Sequence, residues 1–452
     1  MKKIAGILKD FYALHQQKVF QATAPGRLDI MGGNTDLAGG LLLQKPLDNP
    51  TMAYLAISDS PTFHWQLYVQ SEKVAEFETD YSSIIGEFPT LNYDFIREQI
   101  LAKENSKLAF PIIAIILLFY EHQQIKTEGI DLIIATDLPL NQGVGTLASI
   151  EIATLKALAE AYSSELGPND LPSLALRAEN LLVTNPTGGG AQFASYFSKH
   201  QSLTVFRASP PEIFHPIEVP DTIHFIGIGT GLDTTTLSES YEIYRASIFM
   251  GYTIIALASG ASLRDLEVAF NSENRRNLPF RGNVGEINPS EFEDKFLPVL
   301  PDSLTGDEFY QQYKYSIDQV AFINRDKTYP IRSCTKHPVY ENFRVKLFAQ
   351  ILKNYSTEFQ DYSNRLNLLG ELMYQSHQSY ADCGLGNDEA SHIVKRVKEI
   401  GAKKGLFGAR ITDAGNGGVV TVLSSGITGP EKVAELRQEL EQEFQKPLAY
   451  FV

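Results

Sequence analysis

Apolar residues recur along this chain with two periods. Ile152, Leu155, Ala159 and Tyr162 fall at i, i+3, i+7 and i+10, which is one face of a helix. Just before them, "IDLIIATDLPL" (130–140) alternates like a strand and ends at Pro139, and the turn "NQGVGT" joins the two. Strand, glycine turn and helix therefore follow one another. "VFQATAPGRLDIMG" (19–32), "TIHFIGIGTG" (222–231) and "GVVTVLSS" (418–425) read as further strands. Pro430 opens a helix with Val433, Leu436, Leu440 and Phe444 on one side, followed by the apolar "LAYFV". "MKKIAGILKDFYALHQQ" reads as an amphipathic helix and not a signal peptide, because Asp10 and His15 interrupt any apolar run. "LAFPIIAIILLFY", from Leu108, is shorter than a membrane span and contains Pro111, so a buried helix is expected.

No repeat of fixed period and no low-complexity tract is visible. A chain of 452 residues exceeds the usual size of a single core, so two domains are expected. Four prolines cluster in "FRASPPEIFHPIEVP" (206–220), between two strand-like pieces. A cut there predicts domains over residues 1–215 and 216–452. The polar stretch from about 270 to 345, rich in Asn, Pro and Asp, reads as an excursion from the second domain.

Composition narrows the function classes. Hydrophobic residues at 43% and charged residues at 21% are ordinary for a folded globular protein. The formal charge of −15 repels phosphate backbones and argues against general nucleic-acid binding. Cys334 and Cys383 lie far apart in sequence without metal-ligand spacing, which suggests neither a disulfide framework nor a zinc site. A cytoplasmic protein without a membrane partner, monomeric or homodimeric, is the expectation. His337, His377 and His392 show no metal spacing and read as structural or surface residues.

Glycines carry the candidate chemistry. Gly143 and Gly145 stand just before the predicted helix, where free N–H groups and the positive helix end attract phosphate. The loop lacks the Lys-Ser/Thr ending of the common nucleotide loop, and taken singly it is better explained as a connecting turn. "NPTGGGAQF" (185–193) and "ITDAGNGGVV" (411–420) are further glycine groups, each with the same plain alternative. Together with the opening "APGRLDIMGGNTDLAGG" (24–40) they are more than turns usually need, and they suggest a phosphate-bearing ligand.

Three of these strings, "APGRLDIMGGNTDLAGG", "LNQGVGTLASIE" and "ITDAGNGG", resemble the three motifs of the GHMP small-molecule kinases, in the same order. The likeness is greatest to the galactokinase and plant-type L-arabinokinase group, whose pattern is also echoed in "KHPVYENFRVK" (336–346) and "YADCGLGNDEAS" (380–391). The resemblance implies an α+β, two-domain GHMP kinase fold. Its N-terminal α/β domain would resemble ribosomal protein S5 domain 2, and its C-terminal domain would be ferredoxin-like. ATP and sugar would meet between them, with glycines letting backbone approach the sugar.

Carried over position by position, the resemblance implies Arg27 as the catalytic cation and Asp36, Gly33, Asn34, Gln192 and Tyr241 as the sugar site. Nucleotide would bind Gly143, Gly145, Thr146, Ala148, Gly415 and Gly417, with Mg²⁺ on Glu179 and Thr146. The departures are as specific as the matches. Alignment on Gln192 puts Ala191 where the family has its catalytic aspartate, Leu147 stands at a hydroxyl position, and Asp413 and Ala414 replace glycines. Gly229, Asp233 and Thr234 replace a further set of the family's polar residues. The expectation is an ATP-dependent kinase acting on the anomeric hydroxyl of a galactose- or arabinose-like sugar. The alternative is a catalytically impaired relative that binds sugar or nucleotide in a regulatory role.

Overall fold

A computed structural model of the protein describes residues 2–16, 18–58, 60–88, 90–103, 106–125, 128–183, 186–233, 239–272, 274–353, 359–412 and 418–452. The chain forms two compact units that interleave in sequence. One comprises Met1–Arg27, Pro46–Leu140 and Val144–Ser198, the other Leu28–Lys45, Asn141–Gly143 and Lys199–Val452. The strands run in chain order as β1 (Phe20–Ala24), β2 (Arg27–Met31), β3 (Leu41–Pro46), β4 (Thr51–Ser58), β5 (Thr62–Val69), β6 (Glu72–Asp80) and β7 (Gly129–Thr136). They continue as β8 (Ser202–Arg207), β9 (Glu212–Ile213), β10 (Ile217–Glu218), β11 (Ile223–Gly229), β12 (Leu304–Thr305), β13 (Thr328–Tyr329), β14 (Leu406–Ile411), β15 (Val419–Ser425) and β16 (Tyr450–Phe451).

The first unit is built on a sheet of order β1-β4-β7-β5-β6, in which β5 and β7 are parallel and the other pairs antiparallel. Alternation along β5 sends Phe63, Trp65 and Leu67 into the core and leaves His64 and Gln66 beside Asp131 and Glu76. Helices Ser106–Gln123 and Thr146–Ala161 complete that core, and each large apolar side chain buried there contributes roughly 1.5–3 kcal/mol. The helix Lys2–Leu14 covers the opposite face, where Phe11 packs with Tyr54, Tyr68 and Ile133. Both helices at 2–14 and 106–123 agree with the apolar pattern of the sequence.

The second unit contains two larger sheets, β10-β8-β3-β2 and β14-β15-β11-β16, and the two-stranded pair β12-β13. Helices Phe359–Asp382, Asp388–Ile400 and Thr428–Phe444 pack against the second of these. β2 and β3 supply an edge of the first sheet, which is why residues 28–45 leave the sequence-adjacent unit. The proline-rich 206–220 stretch is not a linker here: β9 and β10 within it both pair with β8, and β8 lies in the second unit. The break nearest the expected 215/216 cut falls instead between Ser198 and Lys199, because strand pairing outweighs the local proline content.

The 270–345 stretch also behaves differently from an excursion. Leu278, Val284, Ile287, Phe292, Phe296, Phe309, Ile317 and Ile323 are all buried in the second unit's core. Their spacing follows short helical turns and irregular backbone, so no single period announces them. From Ile331 the chain becomes a helix of 23 residues, Ile331–Lys353, with Pro338 inside it. No helix among the described residues is long and apolar enough to cross a membrane.

Candidate active site

In the first unit, the residues expected near phosphate gather around the start of helix Thr146–Ala161. Gly145, with φ of 70°, caps the helix; Gly143, with φ of 71°, belongs to the second unit. The N–H groups of the first turn have no carbonyl four residues back, so they face outward as donors. Thr146 Oγ1 donates to the Pro139 carbonyl at 2.7 Å, which leaves its oxygen lone pairs for a ligand. Ala148 is buried in the same turn. Ser149 anchors that turn: its hydroxyl lies 2.6 Å from Thr51 Oγ1, which donates to Thr136 Oγ1 at 2.9 Å.

Arg27 enters this site beside the loop. Its N–H donates to the Val144 carbonyl at 2.8 Å. A methyl group on Gly145 would lie 3.3 Å from Arg27 Cγ and 3.6 Å from Ala191 Cβ. The cation, the last loop glycine and position 191 are therefore neighbours. Ala191 sits in the first turn of helix Gly190–Phe197 and presents only a methyl group there.

Behind them lies a buried carboxyl pair that the sequence did not announce. Glu151 is fully buried, and Glu179 sits on a π-helical turn, Ala178–Val183. Burial pushes the Glu151 carboxyl well above its ordinary range, and the neighbouring Glu179 charge and the hydrogen bond between the two push it further. Gln192 Nε2 donates to Glu151 Oε2 at 3.3 Å. So Gln192, expected at the sugar, engages the carboxyl pair. The pair is also a hard, oxygen-rich donor set: where two acids share one proton, a divalent cation can take the proton's place, so Glu179 and Thr146 suit Mg²⁺ by ligand type. The periodic signal at Ile152 and Leu155 identified this helix, yet nothing in the period marks Glu151 as inward-facing and paired.

In the second unit, the opening glycine string forms a tight loop from β2 to β3. Gly33 is required by its protein neighbours: a methyl group there would lie 1.8 Å from Tyr380 Oη and 2.5 Å from Asp29 Oδ2. The close approach expected for a sugar is thus occupied by the protein itself at this position. Asn34 adopts φ of 62°, unusual for a residue with a side chain, and its buried Nδ2 has no hydrogen-bond partner among the described residues. Asp36 is buried, and its Oδ1 accepts from the Leu37 N–H at 3.1 Å.

Tyr241, buried on helix Glu239–Ala258, packs 6.4 Å from Tyr244 between ring centroids. One turn along, Arg245 makes a two-pronged pair with Asp318, Nε to Oδ2 at 2.7 Å and Nη2 to Oδ1 at 2.8 Å. Burial opposes the Arg245 charge, but Asp318, Tyr241 and Asp36 together raise its pKa. Asp318 belongs to the polar stretch, so this pairing was invisible to a reading that set 270–345 aside.

Some expectations fall outside the description or change character. Gly415 and Gly417, with Asp413, Ala414 and Thr234, lie outside the described residues. His337 is no surface group: it is buried and bonded on both ring nitrogens, while burial lowers its pKa to about 4. His377 is likewise lowered by burial to about 4, whereas His392 is exposed beside Glu443. Cys334 and Cys383 are free and buried, and each thiol faces the other's neighbourhood: Cys383 Sγ lies 3.5 Å from the Ser333 carbonyl.

Residues 111–199 match the GHMP kinases N terminal domain. The L-arabinokinase of Arabidopsis thaliana is 27% identical over 465 residues, covering 94% of this chain but 44% of that protein. The chain thus spans less than half of that relative's length. A galactokinase of Thermococcus kodakarensis is 23% identical over 418 residues, 91% of this chain and 92% of its own. Among solved structures, Lactococcus lactis galactokinase complexed with galactose shares the fold, with a TM-score of 0.68 over 99% of this chain and 97% of that one at 17% identity. The matched domain and the solved structure agree on the fold, the two-domain α+β fold of the GHMP kinases, and the chain is similar along more than nine-tenths of its length to an L-arabinokinase and a galactokinase.

Proposed function

We propose that the protein transfers the γ-phosphoryl group of ATP to the anomeric hydroxyl of a galactose- or arabinose-like monosaccharide. The reading rests above all on one observation, that Arg27, Gly145 and the Ala191 methyl stand together at the start of a helix. In it, the first-turn N–H groups after Gly145 hold the phosphates, and Arg27 stabilises charge on the transferring group. Asp36 and Asn34 bind sugar hydroxyls, with Tyr241 lining the site. Bound Mg²⁺, on Glu179 and Thr146, would supply neutralising charge to the triphosphate.

In the transfer, the bond from the γ-phosphorus to the bridging oxygen breaks, ADP leaves, and the sugar oxygen forms the new bond while its proton passes to solvent. Ala191 offers no carboxylate for that proton, and a placed base is typically worth about 10²–10⁴-fold. Positioning and electrostatics carry most of phosphoryl transfer, so slow turnover is the expected behaviour. The missing carboxylate also supports a second reading, a protein that binds sugar or nucleotide without turnover. ADP release measured across a panel of free sugars with Mg²⁺ separates them. Release above background for a pentose or hexose supports the kinase; none for any sugar, with calorimetric binding retained, leaves the second reading.

A further inference from the structure

The helix Ile331–Lys353 turns three polar side chains toward one short piece of backbone, residues 32–41. His337 Nε2 lies 3.1 Å from the Gly33 carbonyl oxygen, which can only accept, so Nε2 carries the proton. Nδ1 then accepts from the Ser379 hydroxyl at 2.7 Å. The Gly32 N–H donates to Glu341 Oε1 at 3.0 Å, and the Leu41 N–H donates to Asn342 Oδ1 at 2.9 Å. From a second helix, Tyr244 Oη donates to the Asn34 carbonyl at 3.0 Å.

The three side chains are themselves held. Glu341 accepts from Arg344 Nε at 2.6 Å and from Ser376 Oγ at 2.7 Å, and Asn342 Nδ2 donates to the Gly285 carbonyl. Exposures of 1% for His337, 0% for Glu341 and 3% for Asn342 leave no room for water to replace these bonds. The segment they grip includes Asn34 at φ of 62°, a conformation that a residue with a side chain keeps only where its surroundings over-determine it. His337 and Glu341, at i and i+4, share one face of the helix, and Asn342 sits about 100° further round, so the three reach different ends of the segment.

We propose that His337, Glu341 and Asn342 are positioning residues for the sugar. They hold the 32–41 backbone in the conformation that presents Asn34 and Asp36 to ligand hydroxyls, so sugar affinity is set from a helix some 300 residues away in sequence. This rests on the reading of Asp36 as the sugar-binding carboxylate. "KHPVYENFRVK" thereby acquires a physical role: it satisfies loop amides and carbonyls on both sides of Asp36.

The test uses Asn342→Ala, His337→Phe and the conservative Asn342→Gln, whose amide keeps both an oxygen to accept from the Leu41 N–H and an NH₂ to donate to the Gly285 carbonyl. Two readouts are taken on the full chain: the KM values for sugar and ATP, and hydrogen exchange of peptides covering residues 28–45. Asn342→Ala and His337→Phe should raise the sugar KM by about tenfold or more, with the ATP KM within about twofold, and speed exchange of the loop at least tenfold. Asn342→Gln should recover part of both. Unchanged exchange overturns the brace, and faster exchange with an unaltered sugar KM overturns its role in affinity. A wild type that turns over no sugar overturns the sugar-kinase reading, while the exchange data still decide whether the helix holds the loop.

Discussion

Arg410 Nη1 lies 3.0 Å from Asp29 Oδ2, an ion pair in which both side chains are almost wholly shielded from solvent. Arg410 also faces the Tyr380 ring, 5.1 Å from its centroid. Asp29 Oδ1 accepts from Gln44 Nε2 at 2.9 Å, and its carbonyl accepts from Thr421 Oγ1 at 3.0 Å. Burial disfavours the Arg410 charge, yet Asp29 and Tyr380 raise its pKa all the same. The pair ties β2 to β14 within the second unit, directly beneath Gly33.

Removing one partner from such a pair strands a charge in the interior. Asp29→Asn is expected to cost about 3–5 kcal/mol of stability, far more than exchanging both partners for apolar residues of similar volume. Chemical denaturation of Asp29→Asn beside the double variant Asp29→Leu/Arg410→Met measures the difference. Equal losses for the two would show that the ion pair is not the source.

Ala191→Asp places a carboxylate near the Arg27 stem. On the kinase reading, kcat for the best sugar should rise by about 10²-fold or more, with little change in the ATP KM. Steady-state ADP release decides it. A rate equal to or below the wild type would remove position 191 from the proposed site.

Gly145→Ala forces a side chain into φ of 70°, where an L-residue pays about 1–2 kcal/mol, and crowds Arg27 Cγ at 3.3 Å. The expected result is a several-fold higher ATP Kd with a sugar Kd that does not move. Titration calorimetry with each ligand checks it, and a changed sugar Kd with intact ATP binding would contradict the assignment of the loop.

The carboxyl pair predicts a pH dependence of stability. Glu151 binds its proton more tightly folded than unfolded, so its contribution is full below its ordinary pKa of 4.5 and is lost as pH rises above that value. His337 and His377 act oppositely, because folded pKa values near 4 against 6.5 make stability fall as pH drops through that interval. Glu151→Gln leaves the histidines in place. Its stability relative to wild type should therefore increase from pH 4.5 to 8, with chelator present to exclude divalent cations. Parallel denaturation curves across that range would show that the pair does not share a proton.

Much of the fold was legible because burial imposes a period. Phe63, Trp65 and Leu67 alternate along β5, and Ile152 and Leu155 recur along helix Thr146–Ala161. Glycine before a helix start likewise marked Gly145, whose left-handed backbone a turn of that kind requires. The polar stretch before Ile331 escaped because its buried anchors, such as Phe296, Phe309 and Ile317, are spaced irregularly through short turns. The proline cluster misled for a related reason: β9 and β10 are two-residue strands that exist only through pairing with β8.

By itself, the sequence determined where the helices and longer strands lie, which loops carry unusual backbone, and which superfamily's motifs they resemble. Those properties are local, set by side-chain period and by the allowed φ of glycine. Only the tertiary structure decided which polar residues meet: Glu151 with Glu179, Asp29 with Arg410, His337 with the Gly33 carbonyl. A buried hydrogen bond depends on two groups brought together from distant positions, and no pattern within either segment records the other.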